Sequence, residues 1–262
     1  MTSEADALPT RVGLAEHGEN RFRGLAVGAE MAGRTSSWST LALAVGHATL
    51  RQEVAELLDD MLACSLAADP RIWPLKVTRL ISSFGRVAPA MAAGILSTGG
   101  GFMGWGTYAP AARFLERYAA EQDGSTVLAE TLEKYRHVPG FGVAFRAKDE
   151  RAVAFRSCVA SRGFDRGRYW RTLGRAEEEL RSRNVQVNIA GVSAAILLDL
   201  EFSPEQIDAL GPILLLPNYL ANAVEGAAQA PAILRTLPAD CIDDRTPPPR
   251  LSPRAQKAKS PR

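Results

Sequence analysis

Between Thr40 and Ala67 the chain repeats apolar residues at a helical interval. Val54, Leu57, Leu58, Met61 and Leu62 fall at i, i+3, i+4, i+7 and i+8, while Arg51, Glu53, Asp59 and Asp60 take the opposite face. Asp69-Pro70 ends that pattern, and Leu75 to Leu96 resumes as a mostly apolar helical stretch, rich enough in Ala and Gly to pack closely. Helical signal returns at 109–121 and 125–135, then as charged amphipathic segments at 149–162 and 170–183. Residues 189–200, IAGVSAAILLDL, are almost uniformly apolar, and their length and Ala content favour a core helix over a buried strand. Ser203-Pro204-Glu205-Gln206 supplies a cap, a first-turn Pro and a first-turn acid for a further helix, which Pro217 is expected to separate from another at 218–235. Residues 1–20 show no periodicity and read as a loosely held lead-in. Strand-like alternation is nowhere sustained, so the expected fold class is all-α.

Two glycine-rich segments interrupt the helices. Residues 98–106, TGGGFMGWG, lack the Lys-Ser/Thr ending of a P-loop and follow no strand pattern, so a nucleotide phosphate cradle is not expected there. The second is the turn Pro139-Gly140-Phe141-Gly142 after His137.

Composition narrows the function classes. With 46% hydrophobic and 23% charged residues over 262 positions, the chain is large enough for one sizeable core or two modest ones. The formal charge of +2 is uneven: six bases and no acid lie in residues 245–262, leaving 25 bases against 29 acids, a formal charge of −4, upstream. That balance points to neither a nucleic-acid partner nor a strongly acidic surface; the length of the apolar stretches argues against a membrane partner. The apolar stretches near 87–97 and 189–200 are shorter than the roughly 20 residues of a span, and the N-terminus lacks the pattern of a secretory signal. A cytoplasmic protein with a disordered tail over 245–262 is expected. Cys64, Cys158 and Cys241 are widely spaced and propose neither a disulfide framework nor, with only His17, His47 and His137 to help, a metal site. Cys158 reads as buried and inert.

The segment HVPGFGVAFRAKDER (His137 to Arg151) resembles the citrate synthase superfamily pattern of Pro-Gly-Phe/Tyr-Gly-His, a basic residue and Asp-Pro-Arg. Gly140, Phe141, Gly142, Arg146, Asp149 and Arg151 stand in register with it. Val187-Asn188-Ile189-Ala190-Gly191-Val192 resembles the family's Asn-Val-Asp-Gly segment, and the LLDL run with the following Ser-Pro-Glu is similar to the short citryl-CoA-lyase-like branch. The resemblance extends in order over about 38–235. It implies a homodimeric, two-domain helical fold, with a large domain from 21–103 and 188–237 and a small one from 104–187. It further implies a cleft that makes or breaks a carbon–carbon bond on a coenzyme A thioester.

The family's chemistry uses two histidines and a carboxylate base. Here those positions carry Val143, Ala190 (or Gln186 in a shifted register) and Met103 or Gly104, none able to exchange a proton near neutral pH. By the same resemblance, Arg146 with Gly140, Phe141 and Gly142 would bind coenzyme A, and Arg151 would hold a carboxylate of the ligand, since a guanidinium offers fixed bidentate donors. Arg71, in Asp69-Pro70-Arg71-Ile72-Trp73-Pro74, is a further substrate-binding candidate, against the alternative of a plain helix elbow with Trp73 packed inside. His137, Tyr108 and Asn188 are the candidate catalytic replacements, each with a structural alternative: a loop histidine, a helix-packing tyrosine beside Thr107, a scaffold asparagine. His47 reads as a packing or capping residue. Two functions follow: a non-standard citrate-synthase-like enzyme acting on an acyl-CoA or related thioester/carboxylate, or a catalytically inactive protein that binds such a ligand.

Overall fold

A computed structural model describes residues 8–99, 103–121, 123–143, 148–229, 243 and 245. Its first described element is strand, within the stretch expected to be a loose lead-in. β1 (Gly13–Glu16), β2 (Glu19–Phe22) and β3 (Leu25–Ala26) form an antiparallel meander, with Glu16 opposite Glu19 and Phe22 opposite Leu25. Gly18 supplies the positive φ of the first turn, and Arg23 and Gly24, both at positive φ, make a type I′ turn. Strands of two to four residues are too short to show alternation. Their trace in the sequence is the pair of X-Gly dipeptides six residues apart. Arg23 secures the meander by donating from Nη2 to the carbonyl of Ala44 (2.6 Å).

After a π-helical turn at Val27–Met31, ten α-helices follow among the described residues. The stretch read as one helix over 40–67 is two, α1 (Ser37–Ala44) and α2 (Gln52–Cys64), with Gly46 at φ +81 between them. Ser36 caps α1 by accepting from the Ser39 N–H. The stretch over 75–96 likewise divides into α3 (Trp73–Ser82) and α4 (Val87–Ser97) at Gly85, again at φ +81. Next come α5 (Tyr108–Ala120), α6 (Gly124–Tyr135), α7 (Glu150–Ser161), α8 (Arg168–Leu180) and α9 (Ile189–Asp199).

The last described helix, α10 (Pro204–Ala227), starts on a complete capping box between Ser203 and Gln206, as its sequence promised. It then runs unbroken through Pro212 and Pro217, so the expected division at Pro217 is absent. A helix proline loses one hydrogen bond and crowds the preceding turn. Tertiary contact outweighs that cost here, because Leu214, Leu215, Asn218, Tyr219, Asn222 and Ala223 keep one buried face on both sides of Pro217. Asn218 accepts from the Ala67 N–H (2.8 Å) and Asn222 donates to the Ala68 carbonyl (2.9 Å), closing the loop after α2. Continuity makes α10 long and apolar enough to cross a bilayer, yet half of its apolar window is buried inside the fold, as in a core helix.

The main core gathers around α9. Ten of its eleven residues, Ile189 to Leu198, are buried. α5, α7 and α8 pack against it. Its side chains join Trp38, Leu57 and Met61 upstream, Phe114, Phe155 and Leu180 in between, and Ile207 and Leu214 downstream, so one core runs across both expected domain boundaries. Burying each such aliphatic side chain contributes about 1.5–3 kcal/mol. A smaller cluster of Leu75, Leu215 and Tyr219 joins α3 and α10, with Met91, Ile95 and Trp105 against it. Trp73, which the helix-elbow alternative would pack inside, is 49% exposed. His47 packs as expected, stacked on Phe202 at 4.0 Å between ring centres, with Nε2 3.1 Å from the carbonyl of Leu200.

Candidate functional site

The two motif segments meet in space. Gly142 N donates to the Gln186 carbonyl (2.7 Å), Asn188 N donates to the Gly140 carbonyl (3.0 Å), and Phe141 bridges to Val187. The Pro-Gly-Phe-Gly turn thereby lies against the entry to α9. The approach is close enough that only glycine fits: a Cβ on Gly191 would stand 2.3 Å from the Gly140 oxygen, and one on Gly140 would stand 2.8 Å from the Gly191 Cα. Gly140 also has φ +84.

Asp149 joins this turn to the next helix. It caps α7, and its buried carboxylate also accepts from the Ile189 N–H at the start of α9 (2.9 Å). It binds Arg151 along one guanidinium edge, with Nε to Oδ1 and Nη2 to Oδ2 both at 2.9 Å. Burial alone would push the Asp149 carboxyl up. The Arg151 guanidinium and the N–H groups of Ile189 and Arg151 outweigh it and hold the group below the usual carboxylate range. Burial opposes the charge on Arg151 too, and Asp149 overrides it, raising the guanidinium above its ordinary value. The Arg151 side chain stays 31% exposed, and the guanidinium edge between Nη1 and Nη2 has no partner among the described residues. A carboxylate fits that edge in a bidentate pair.

Behind Arg151 lies a set of buried hydroxyls. Ser65 Oγ donates to the Met61 carbonyl (2.7 Å) and lies 3.4 Å from the Tyr108 hydroxyl. Ser193 Oγ, wholly buried, makes no hydrogen bond of standard geometry but sits beside the same tyrosine. Burial raises the Tyr108 phenol above its ordinary value, and Ser65 and the charge of Arg151 offset part of that rise.

The expected site residues are thus placed as follows. Arg151, Asn188 and the turn at Gly140, Phe141 and Gly142 converge. Asn188 is committed to scaffolding: its Oδ1 accepts from the Ala190 and Gly191 N–H groups and its Nδ2 donates to the Gly142 carbonyl (3.0 Å). Tyr108 is 2% exposed and faces the two serines, so its hydroxyl does not reach a ligand in this conformation. His137 is exposed at the entry to the turn, with Nδ1 2.8 Å from the Tyr135 carbonyl. Arg71 is forked onto Asp69 with its side chain 90% exposed. Arg146 lies outside the described residues. Ala190 is buried and offers no proton-transfer group.

Sequence reasoning had placed Asp149 in register without a role. The Asp-x-Arg spacing around a helix start was the signal. Ser65 and Ser193 carried no signal, because nothing local distinguishes a site serine from a core one. The concavity lined by Gly163, Phe164, Arg166, Gly167 and Leu200 lies at the other end of α9. There Asp199 already occupies the start of α8, accepting from the Tyr169 and Trp170 N–H groups.

No protein-family model and no curated protein matches the chain. Solved structures do. Citryl-CoA lyase from Hydrogenobacter thermophilus superposes with a TM-score of 0.81 at 20% identity, over 95% of this chain and 99% of that one. The chain has the citrate-synthase-type fold. The citrate synthase of Thermotoga maritima shares it less completely, at a TM-score of 0.58 and 17% identity over 71% of this chain and 52% of that one. The same fold occurs in ATP citrate lyase from Methanothrix soehngenii, solved in complex with citrate and coenzyme A. It matches 95% of this chain and 42% of its own length, with a TM-score of 0.73 and 17% identity.

Proposed function

We propose that this protein binds a coenzyme A thioester or the carboxylate derived from it and forms or cleaves a carbon–carbon bond of the aldol/Claisen type, without the usual His/His/Asp set. The observation that carries this reading is the open guanidinium edge of Arg151. It is braced from behind by Asp149 at the point where the α7 and α9 starts meet. Support comes from the fold, shared with citryl-CoA lyase and with an ATP citrate lyase solved with citrate and coenzyme A.

In this reading Arg151 grips a ligand carboxylate and neutralises part of its charge. Asp149 keeps the guanidinium from rotating away. The glycine turn, with Arg146 beside it in sequence, receives the coenzyme A portion, and its bare backbone allows the close approach. His137, exposed beside the turn, is the remaining proton-transfer candidate. The second reading, an inactive acyl-CoA or carboxylate binder, is favoured by the burial of Ala190 and by Val143, which leave the usual proton-transfer positions apolar.

The protein is also proposed to act as a homodimer. Phe84 in the turn between α3 and α4, Leu96 near the end of α4, and Leu220 and Val224 on α10 are exposed apolar side chains that a second copy would cover.

Incubation with a panel of coenzyme A thioesters and oxo-acids, followed by mass spectrometry of free coenzyme A, tests the function. Turnover that Arg151→Ala reduces at least about 100-fold supports the enzyme. Saturable binding without turnover supports the second reading, and neither binding nor turnover overturns both.

A further inference from the structure

The residues that pack α2 against α7 lie on one seam. On α2, Glu56, Asp60 and Cys64 are spaced by four and share a face; on α7, Cys158 lies four residues before Arg162, which follows the helix end. Arg162 binds both carboxylates, Nη1 to Glu56 at 2.7 Å and Nε to Asp60 at 2.6 Å. The antiparallel register set by those ion pairs brings Cys64 opposite Cys158, close enough for the neighbouring thiol to act on Cys64. Both are reduced, partly exposed and packed on the main core. The sequence showed three isolated cysteines, of which Cys158 was expected to be buried; only the helix packing pairs two of them.

From this seam we infer that Cys64 and Cys158 form a reversible intramolecular disulfide with a small-molecule disulfide as oxidant. One cysteine attacks the oxidant, forming a mixed disulfide and releasing one thiol. The second cysteine then attacks the mixed disulfide, closing the Cys64–Cys158 bond and releasing the second thiol. Two protein thiols are oxidised, the oxidant's disulfide is reduced to two thiols, and the protons pass to the leaving groups. Burial pushes the Cys64 thiol up to about 11, with Cys158 and Asp60 adding to the rise, so exchange near neutral pH runs over minutes to hours. The bond would staple the end of α2, next to Ser65, to the helix whose first turn carries Arg151. The two thiols therefore form a modification site two helical turns from the candidate ligand site and independent of its assignment.

The experiment treats the folded full-length protein with oxidised glutathione and reads intact mass, free thiols and non-reduced tryptic peptides. The expected result is a mass loss of about 2 Da and a fall from three free thiols to one. The peptide holding Cys64 should be joined to the one holding Cys158. Cys241→Ser keeps the link, whereas Cys64→Ser and Cys158→Ser each lose it. In denaturant the wild-type link should form at least about tenfold more slowly, because the seam is gone. That comparison holds even where a serine variant fails to fold. A persistent glutathione adduct of about 305 Da, a link through Cys241, an unchanged mass, or equal rates in folded and denatured protein would each overturn the inference.

Discussion

α4 and α9 are both eleven-residue, almost uniformly apolar helices, and they end up in opposite surroundings. Ten residues of α9 are buried, whereas α4 buries only Ala90 and Gly94 and leaves Leu96 79% exposed. Composition alone therefore says little about where an apolar helix goes. What separates them is the packing around each: α9 is wrapped by α5, α7 and α8, while α4 meets α3, α10 and Trp105 and leaves Leu96 open to solvent. The exposed end of α4 at Leu96 is part of the surface on which a second copy is proposed to dock.

The contrast can be broken most severely at the head of α9. Gly191→Val should unfold the protein or cost more than about 4 kcal/mol, because the added carbons would overlap the Gly140 carbonyl. Loss of the cooperative thermal transition is the readout; a native-like melting curve would mean the two motif segments are not in contact.

Asp149→Asn should follow, at about 3 kcal/mol, since it leaves Arg151 partly buried and unpaired. The folded Asp149 pKa is depressed. Its contribution is therefore complete above the ordinary carboxylate range and is lost as pH falls through the folded value. Denaturant melts at a series of pH values should show wild type and variant converging on acidification; a gap that stays constant would remove Asp149 from the account.

Leu197→Ala in α9 should cost about 2–4 kcal/mol, against less than about 0.5 kcal/mol for Leu96→Ala in α4, measured on the monomer. Leu96→Glu sharpens the same pair: it should leave the monomer's stability within about 0.5 kcal/mol while weakening self-association in sedimentation at micromolar concentration. Unchanged association would place the dimer contact elsewhere. The smallest effect is expected from Arg71→Ala, within about 0.5 kcal/mol and without change in ligand binding by calorimetry, because its pair with Asp69 is solvent-exposed.

Much of the helical content was readable from periodicity, as α2 and the capping box of α10 show. The failures share a cause. Gly46 and Gly85 look like ordinary small residues until their positive φ divides what looked continuous, and Pro217 looks like a stop until a buried face on both sides holds the helix together. The candidate site was legible as two motifs with matching spacing. Its physical content was not, since the Asp149 link to Ile189 spans forty residues.

By itself the sequence determined that the chain would be predominantly helical, where the apolar stripes lie, and how the two motif segments are spaced. Those are local facts of residue chemistry and spacing. Which apolar helix became the centre and which stayed at the surface, which hydroxyls lie behind Arg151, and which two cysteines face each other were decided by tertiary packing. Each depends on residues distant in sequence occupying the same small volume, and no local pattern encodes that.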